Sequence, residues 1–197
     1  MQTLKRTRIE TAEEPGPGQK HLSAGSVSTL AICPRKFYYD LRYKPQRKRT
    51  KRRKQTNAEN RPSFGIESVQ LKQVLLSSDT LLIRGMCKTV ANTHPPIPVV
   101  IRNRLDEKPW ELSQAEMQLF IYSLLLREAG LRTVSGMILD PCNDRQLTTR
   151  IKPDNLISAA MLIGKAHITA EMEYAPEALP GNHCETCIHK NTCTPLQ

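Results

Sequence analysis

Between Ser26 and Asp40 the polar and apolar positions predict two short helices that meet at Cys33-Pro34. Ser26 or Ser28 suits the N-cap of the first, and Pro34 suits the first turn of the second. Phe37, Tyr38 and Leu41 give the second helix an apolar face. From Ile66 the period changes to two. Ile66 to Leu76 alternates through Val69, Leu71 and Val74, Leu81 to Val90 reads as a second strand, and Ile97 to Arg102 as a third, more buried one. Ser77-Ser78-Asp79 predicts a hairpin connection between the first two. Ser113 and Glu116 form a capping-box pattern, followed by a stripe of Met117, Phe120, Ile121, Leu124 and Leu125 that Gly130 ends. Val134 to Leu139 predicts a fourth strand, Asp140 to Asp144 a turn, and Gln146 to Ile151 a fifth strand. Asn155 to Glu173 predicts a second long helix. Helix, three strands, helix, strands, helix is the order of an α/β domain with a mixed central sheet.

Composition narrows the setting. The 197 residues suit one good core, and no run approaches the length of a membrane helix. Hydrophobic residues make up 39% and the mean hydropathy is −0.47, which predicts a soluble protein with no membrane partner. The basic start at Met1 lacks an apolar stretch after it, so no secretory signal is expected. Six cysteines without such a signal favour a reducing, cytoplasmic location and metal ligation over disulfides. Residues 1–22, with Pro15-Gly16-Pro17-Gly18, read as a disordered tail, and 23–197 as a single domain.

The net charge of +10 is concentrated. Arg42, Lys44, Arg47, Lys48, Arg49, Lys51, Arg52, Arg53 and Lys54 follow one another with no acid from Leu41 to Ala58. The block, within an arm spanning 42–61, is expected to track phosphates by counterion release; a solvated linker is the plainer alternative.

The segment 180–197 holds Cys184, Cys187 and Cys193 at C-x2-C-x5-C spacing between Pro/Gly boundaries. It carries too little apolar surface to order itself, and a metal centre would supply the order. Three ligands leave one vacancy for Cys33, Cys87 or Cys142. Cys87 lies in a strand pattern and reads as a buried residue; Cys142 lies in a turn. His183 and His189 could substitute in a zinc site, or be exposed loop histidines.

Several landmarks together resemble the RecB-like, iron–sulfur-containing nucleases of the PD-(D/E)-x-K superfamily, most of all the CRISPR-associated exonuclease family of spacer acquisition. Cys33-Pro34-Arg35-Lys36-Phe37-Tyr38-Tyr39 is similar to that family's N-terminal C-P-R segment, and Gln118-Leu119-Phe120-Ile121-Tyr122 to its Q-x-x-x-Y helix motif. The resemblance implies a restriction-endonuclease-like mixed sheet flanked by helices, with a C-terminal four-Cys lobe. It also implies Cys33, Cys184, Cys187 and Cys193 as ligands of a 4Fe–4S cluster, with zinc as the alternative.

The catalytic positions depart from the family. In such nucleases an Asp of a G-x-x-D strand and a (D/E)-x-K on the next strand share Mg2+ or Mn2+. Here Lys88 stands at the Asp, Val100 at the acid and Arg102 at the Lys, and no His occurs between His21 and His94 for the family's metal-binding His. No catalytic Mg2+ or Mn2+ is therefore expected. The remaining groups, Gln118, Tyr122, Arg102 and Lys88, suit a phosphate without a metal. The expectation is an inactive family member that binds DNA ends or single-stranded overhangs in a CRISPR adaptation or related defence complex. Its partners would be the CRISPR integrase and its small partner subunit, or another defence-complex subunit. Two alternatives stand beside it. One is an active single-stranded DNA exonuclease with ligands relocated to Asp106, Glu107 or Glu111; the other is a scaffold subunit of a larger nucleoprotein complex. Trp110 is expected to anchor packing, and Tyr38 and Tyr39 to be part core, part base-stacking surface.

Overall fold

The computed structural model describes residues 21–43, 70–105 and 108–193. Arg47, Lys48, Arg49, Lys51, Arg52, Arg53 and Lys54, most of the 1–22 tail, Asp106 and Glu107 lie outside these residues. The chain opens with a two-residue strand, β1 (Leu22–Ser23), then helices α1 (Ala24–Leu30) and α2 (Pro34–Arg42). Strands β2 (Leu71–Ser78), β3 (Ile83–Val90) and β4 (Pro98–Ile101) follow. Helix α3 (Pro109–Glu128) leads to β5 (Ser135–Asp140) and β6 (Arg145–Arg150), and α4 (Pro153–Glu171) comes last, before a single 3-10 turn at Asn182–Cys184. The predicted element order holds among the described residues.

The sheet is mixed. β2, β3 and β4 form an antiparallel meander, β5 runs parallel to β4 across α3, and β6 turns back antiparallel. β1 pairs with Ile83 and Arg84 of β3 in parallel, so Leu22 already belongs to the sheet. Strand parity divides the sheet into two faces. Ile83, Cys87, Val100 and Ile138 join the main core with Leu119, Tyr122 and Leu126 of α3. Val99, Met137 and Leu139 form a second apolar cluster on the other face.

Four local expectations need correction. The N-cap of α1 is Ser23, whose Oγ accepts the Ser26 N–H at 3.0 Å, so Ser26 and Ser28 lie inside the helix. Ser77 and Ser78 belong to β2, and the Ser78 Oγ accepts the Leu81 N–H at 2.9 Å to build the turn one step later. α3 starts at Pro109, which fits a first helical position because it has no N–H to leave unpaired; Ser113 and Glu116 are interior and Trp110 is half-buried in the first turn. α4 starts at Pro153 for the same reason, with Asn155 Oδ1 accepting the Lys152 N–H at 2.8 Å. The predicted end of α3 holds: Gly130 has φ +79°, and the Leu131 N–H reaches the Leu126 carbonyl at 2.8 Å.

The apolar stripe expected on α3 is only part of its buried surface. Leu119, Ile121, Tyr122, Leu125 and Leu126 are buried, whereas Met117, Phe120 and Leu124 are partly so. The helix touches the sheet on one side and α1 and α4 on the other, so it is apolar nearly all round. At Gly85, β3 comes so close that a Cβ would lie 2.8 Å from Ala24 Cβ and 2.9 Å from Tyr122 Cε1. Only glycine permits that approach.

Candidate functional site

Two places in the fold gather chemistry. The first is a cavity of about 350 Å3 between α2 and the segment after α4, lined by Cys33, Cys184, Cys187 and Cys193. Cys33 is buried at the head of α2, where Pro34 fixes the turn; the other three are half-buried in tight turns. Cys184 N–H bonds to Gly181 O at 2.9 Å, Cys187 N–H to Cys184 O at 3.3 Å, and Cys193 N–H to His189 O at 2.8 Å. All four thiols are free of disulfides. Cys142 is exposed in the β5–β6 turn, and Cys87 is buried in β3; neither lines the cavity.

Side chains of α2 hold the C-terminal segment independently of the thiols. Arg35 Nε donates to Pro176 O at 2.7 Å, Tyr38 OH to Glu173 O at 2.7 Å, and Arg42 to the Met172 and Ala170 carbonyls. The Arg42 guanidinium also lies 3.8 Å over the Tyr38 ring. Arg42, expected in the phosphate-tracking arm, is thus a structural tether. His189 corrects another expectation. It is 8% exposed, donates from Nε2 to Asp40 Oδ1 at 2.8 Å, and packs on Tyr39 at 5.4 Å between ring centroids. Lys36 Nζ holds the second Asp40 oxygen at 2.6 Å. A histidine seated on a carboxylate this way is a latch for the loop, a role that sequence spacing does not reveal. His183 Nε2 lies 3.6 Å from Cys184 Sγ. Tyr38 is buried, and Tyr39 forms cavity wall.

Four soft thiol donors converging from two distant parts of the chain suit a thiophilic metal centre. Among the described residues no group of three or more His, Cys, Asp or Glu is drawn close enough to hold a single ion. Tetrahedral zinc would require sulfurs about 3.8 Å apart, given Zn–S bonds near 2.3 Å.

The second place is the groove between α3, β3 and the end of β4. Arg102 Nη2 donates to Gln118 Oε1 at 2.5 Å, Gln118 Nε2 donates to Tyr122 OH at 2.8 Å, and Tyr122 OH donates to Met86 O at 3.0 Å. Arg102 Nη1 turns back to Ile101 O at 3.0 Å. Burial pulls the Arg102 guanidinium below its ordinary pKa against the raising effect of Glu111 and Tyr122. Burial likewise raises the Tyr122 phenol, with the Gln118 hydrogen bond working the other way. Both effects come from low local polarity, where a bound anion would feel Arg102 strongly.

Val100 is 3% exposed and packs in the main core. Lys88 is not brought to this groove. It pairs with Val99, which belongs to the cluster on the opposite face. Gly85 faces α3, so a residue three positions on must face away, and Cys87 takes the inward place. Burial pushes the Cys87 thiol up to about 12, with a backbone hydrogen bond involving Val99 opposing.

Sequence reasoning passed over one carboxylate. Asp140, fully buried at the end of β5, accepts N–H bonds from Arg104 at 2.9 Å, Leu105 at 2.8 Å and Cys142 at 3.2 Å, and from Asn143 Nδ2 at 2.9 Å. Its burial opposes the charge, but these donors outweigh it and hold the carboxyl below its ordinary value. Both oxygens are engaged in pinning the loop after β4 to the turn after β5. Glu111, in the first turn of α3, lies 3.3 Å from Lys108.

The fold is therefore a mixed α/β sheet with helices packed on it, and no described helix is long and apolar enough to cross a membrane. No protein-family model matches the chain, and no curated protein does. A solved structure, the crystal structure of SSO0001, is similar to it with 16% identity and a TM-score of 0.49, over 96% of this chain and 91% of that one. A likeness of that strength speaks neither for nor against a function.

Proposed function

We propose that this chain is a nuclease-fold protein that holds DNA without cutting it, with a structural metal centre at its C-terminus. The observation that carries the non-cleaving reading is the pair Val100 and Arg102. At the strand positions where a RecB-like nuclease needs an acid and a lysine, Val100 is buried in apolar packing. Arg102 is committed to Gln118 and, through it, to Tyr122. A branched aliphatic side chain cannot ligate Mg2+, and a guanidinium repels it. The same guanidinium, partly desolvated, suits a phosphate oxygen.

The restriction-endonuclease-like reading of the fold draws support from the β2–β3–β4 meander, the α3 crossover and β5 beside β4. Iron–sulfur over zinc follows from the sequence resemblance. Such a centre would be held by Cys33, Cys184, Cys187 and Cys193, and it would supply cross-linking of α2 to the terminal loop. A place in CRISPR adaptation beside the integrase, or in another defence complex, follows from the sequence resemblance.

The test is a labelled duplex with a single-stranded overhang, incubated with the full chain and Mg2+ or Mn2+. Retention on the protein without shortening is expected, and Arg102→Ala should weaken binding roughly tenfold, about 1.4 kcal/mol. Trimming above a Gln118→Ala control would overturn the non-cleaving reading in favour of an active exonuclease. No measurable DNA binding would leave the scaffold role.

A further inference from the structure

The outward face of α4 is apolar where solvent-facing helices are normally polar. Ile157, Met161, Ile168 and Met172 are 58%, 61%, 66% and 41% exposed. At about 100° per residue they fall, with Gly164, within roughly 80° of arc, one stripe along the helix and its C-cap. The opposite side of α4, through Ala159, Ile163 and Ala166, packs into the core. None of the described elements covers the stripe.

Gly164 adds a separate observation. It lies in the helix interior, where glycine lowers stability relative to alanine. Its φ is not positive, and a Cβ built on it would meet nothing within 4 Å. The chain's own packing gives no reason for a glycine there. A bare backbone in the middle of an apolar stripe is what close approach of a second helix requires.

The spacing identifies that helix. Reflected about the point between Gly164 and Lys165, Ile157 falls on Met172, Met161 on Ile168, and Gly164 on Lys165. A stripe that reads alike in both directions matches a copy of itself running antiparallel, the isologous contact of a two-fold dimer. We infer that this protein forms a homodimer through α4, with the two helices crossing at Gly164. Ile157 then meets Met172 of the partner subunit, and Met161 meets Ile168 of the partner subunit. Lys165 sits at the stripe's edge, from which its head reaches water while its stem covers apolar surface. Charge does not oppose the contact: α4 carries one lysine against Asp154 and Glu171, whereas the chain as a whole is +10.

Area agrees with this occupant. Four side chains so exposed leave on the order of 450 Å2 of apolar surface per copy, or roughly 1,000 Å2 in a pair once the flanking atoms are included. That reaches the lower bound for a specific interface. The inference stands apart from the proposed DNA-binding role, which uses neither α4 face nor Gly164.

Sedimentation or light scattering of the full chain tests it, in reductant and in salt high enough to strip nucleic acid. The expected mass is twice 22.3 kDa. Ile168→Glu should return it to a single chain at the same concentration, with a melt equal to that of the unaltered protein diluted to single chains. Gly164→Leu should weaken dimerisation at least tenfold by blocking helix approach, while at single-chain dilution its melt is unchanged or raised, because the space is open within one chain. A single-chain mass for the unaltered protein at about 100 µM would overturn the proposal. So would a dimer that survives both substitutions.

Discussion

The cysteine cavity and the Arg102 groove differ in how far their polar groups have already found one another. In the groove, Arg102, Gln118, Tyr122 and the Met86 carbonyl form a closed relay of hydrogen bonds, and Asp140 nearby has both oxygens engaged. In the cavity, four thiols line a common space and form no bond with one another. Buried polar groups that satisfy each other are a finished piece of structure, whereas donors facing a shared void are arranged for something to enter. The cavity thus gathers the four cysteines that the spacing singles out. In the groove the polar side chains are committed first to one another.

The largest effect should come from emptying the cavity. Cys33→Ser removes the only thiol that α2 contributes, so bound metal should fall sharply and stability by at least ~3 kcal/mol, read by metal analysis and thermal melting. Equal metal content in the variant and the unaltered protein would break the comparison on that side. Gly85→Ala attacks the frame of the groove. Its Cβ would meet Ala24 and Tyr122 inside 3 Å, and a loss of about 2–3 kcal/mol in denaturant unfolding is expected.

Asp140→Asn should cost about 2 kcal/mol, because an amide cannot accept from all four donors. Its pH dependence has a definite sign. The carboxyl titrates lower in the fold than its ordinary 3.8, so its contribution is complete above that value and is lost as pH falls through the lower folded one. The variant should lack that part of the acid slope. The smallest effect should follow from Asp40→Asn, which loosens His189: about 1 kcal/mol, with faster proteolysis between 180 and 193 in metal-free protein. Unchanged protection there would show that the His189–Asp40 contact does not seat the loop.

Much of this arrangement was legible in the residues. Alternation marked β2, an apolar run marked β4, Gly130 marked the end of α3, and C-x2-C-x5-C with Cys33-Pro34 marked the cavity lining. What escaped has physical causes. Proline at a first helical position needs no cap, so Ser113 drew attention away from Pro109. Motif spacing ignores strand parity, so Lys88 was expected in a groove whose inward residue is Cys87. His189 and Asp40 are 149 residues apart, and Asp140 binds amides 35 and 36 positions away. No local pattern encodes such partners.

Metal and sulfide analysis of anaerobically purified protein, read together with its visible spectrum, bears most directly on the difference between the two regions. About four irons and as much acid-labile sulfide per chain, with a broad band at the blue end of the visible that Cys33→Ser abolishes, is the predicted result. Stoichiometric zinc without sulfide, or iron retained in full by Cys33→Ser, would contradict it.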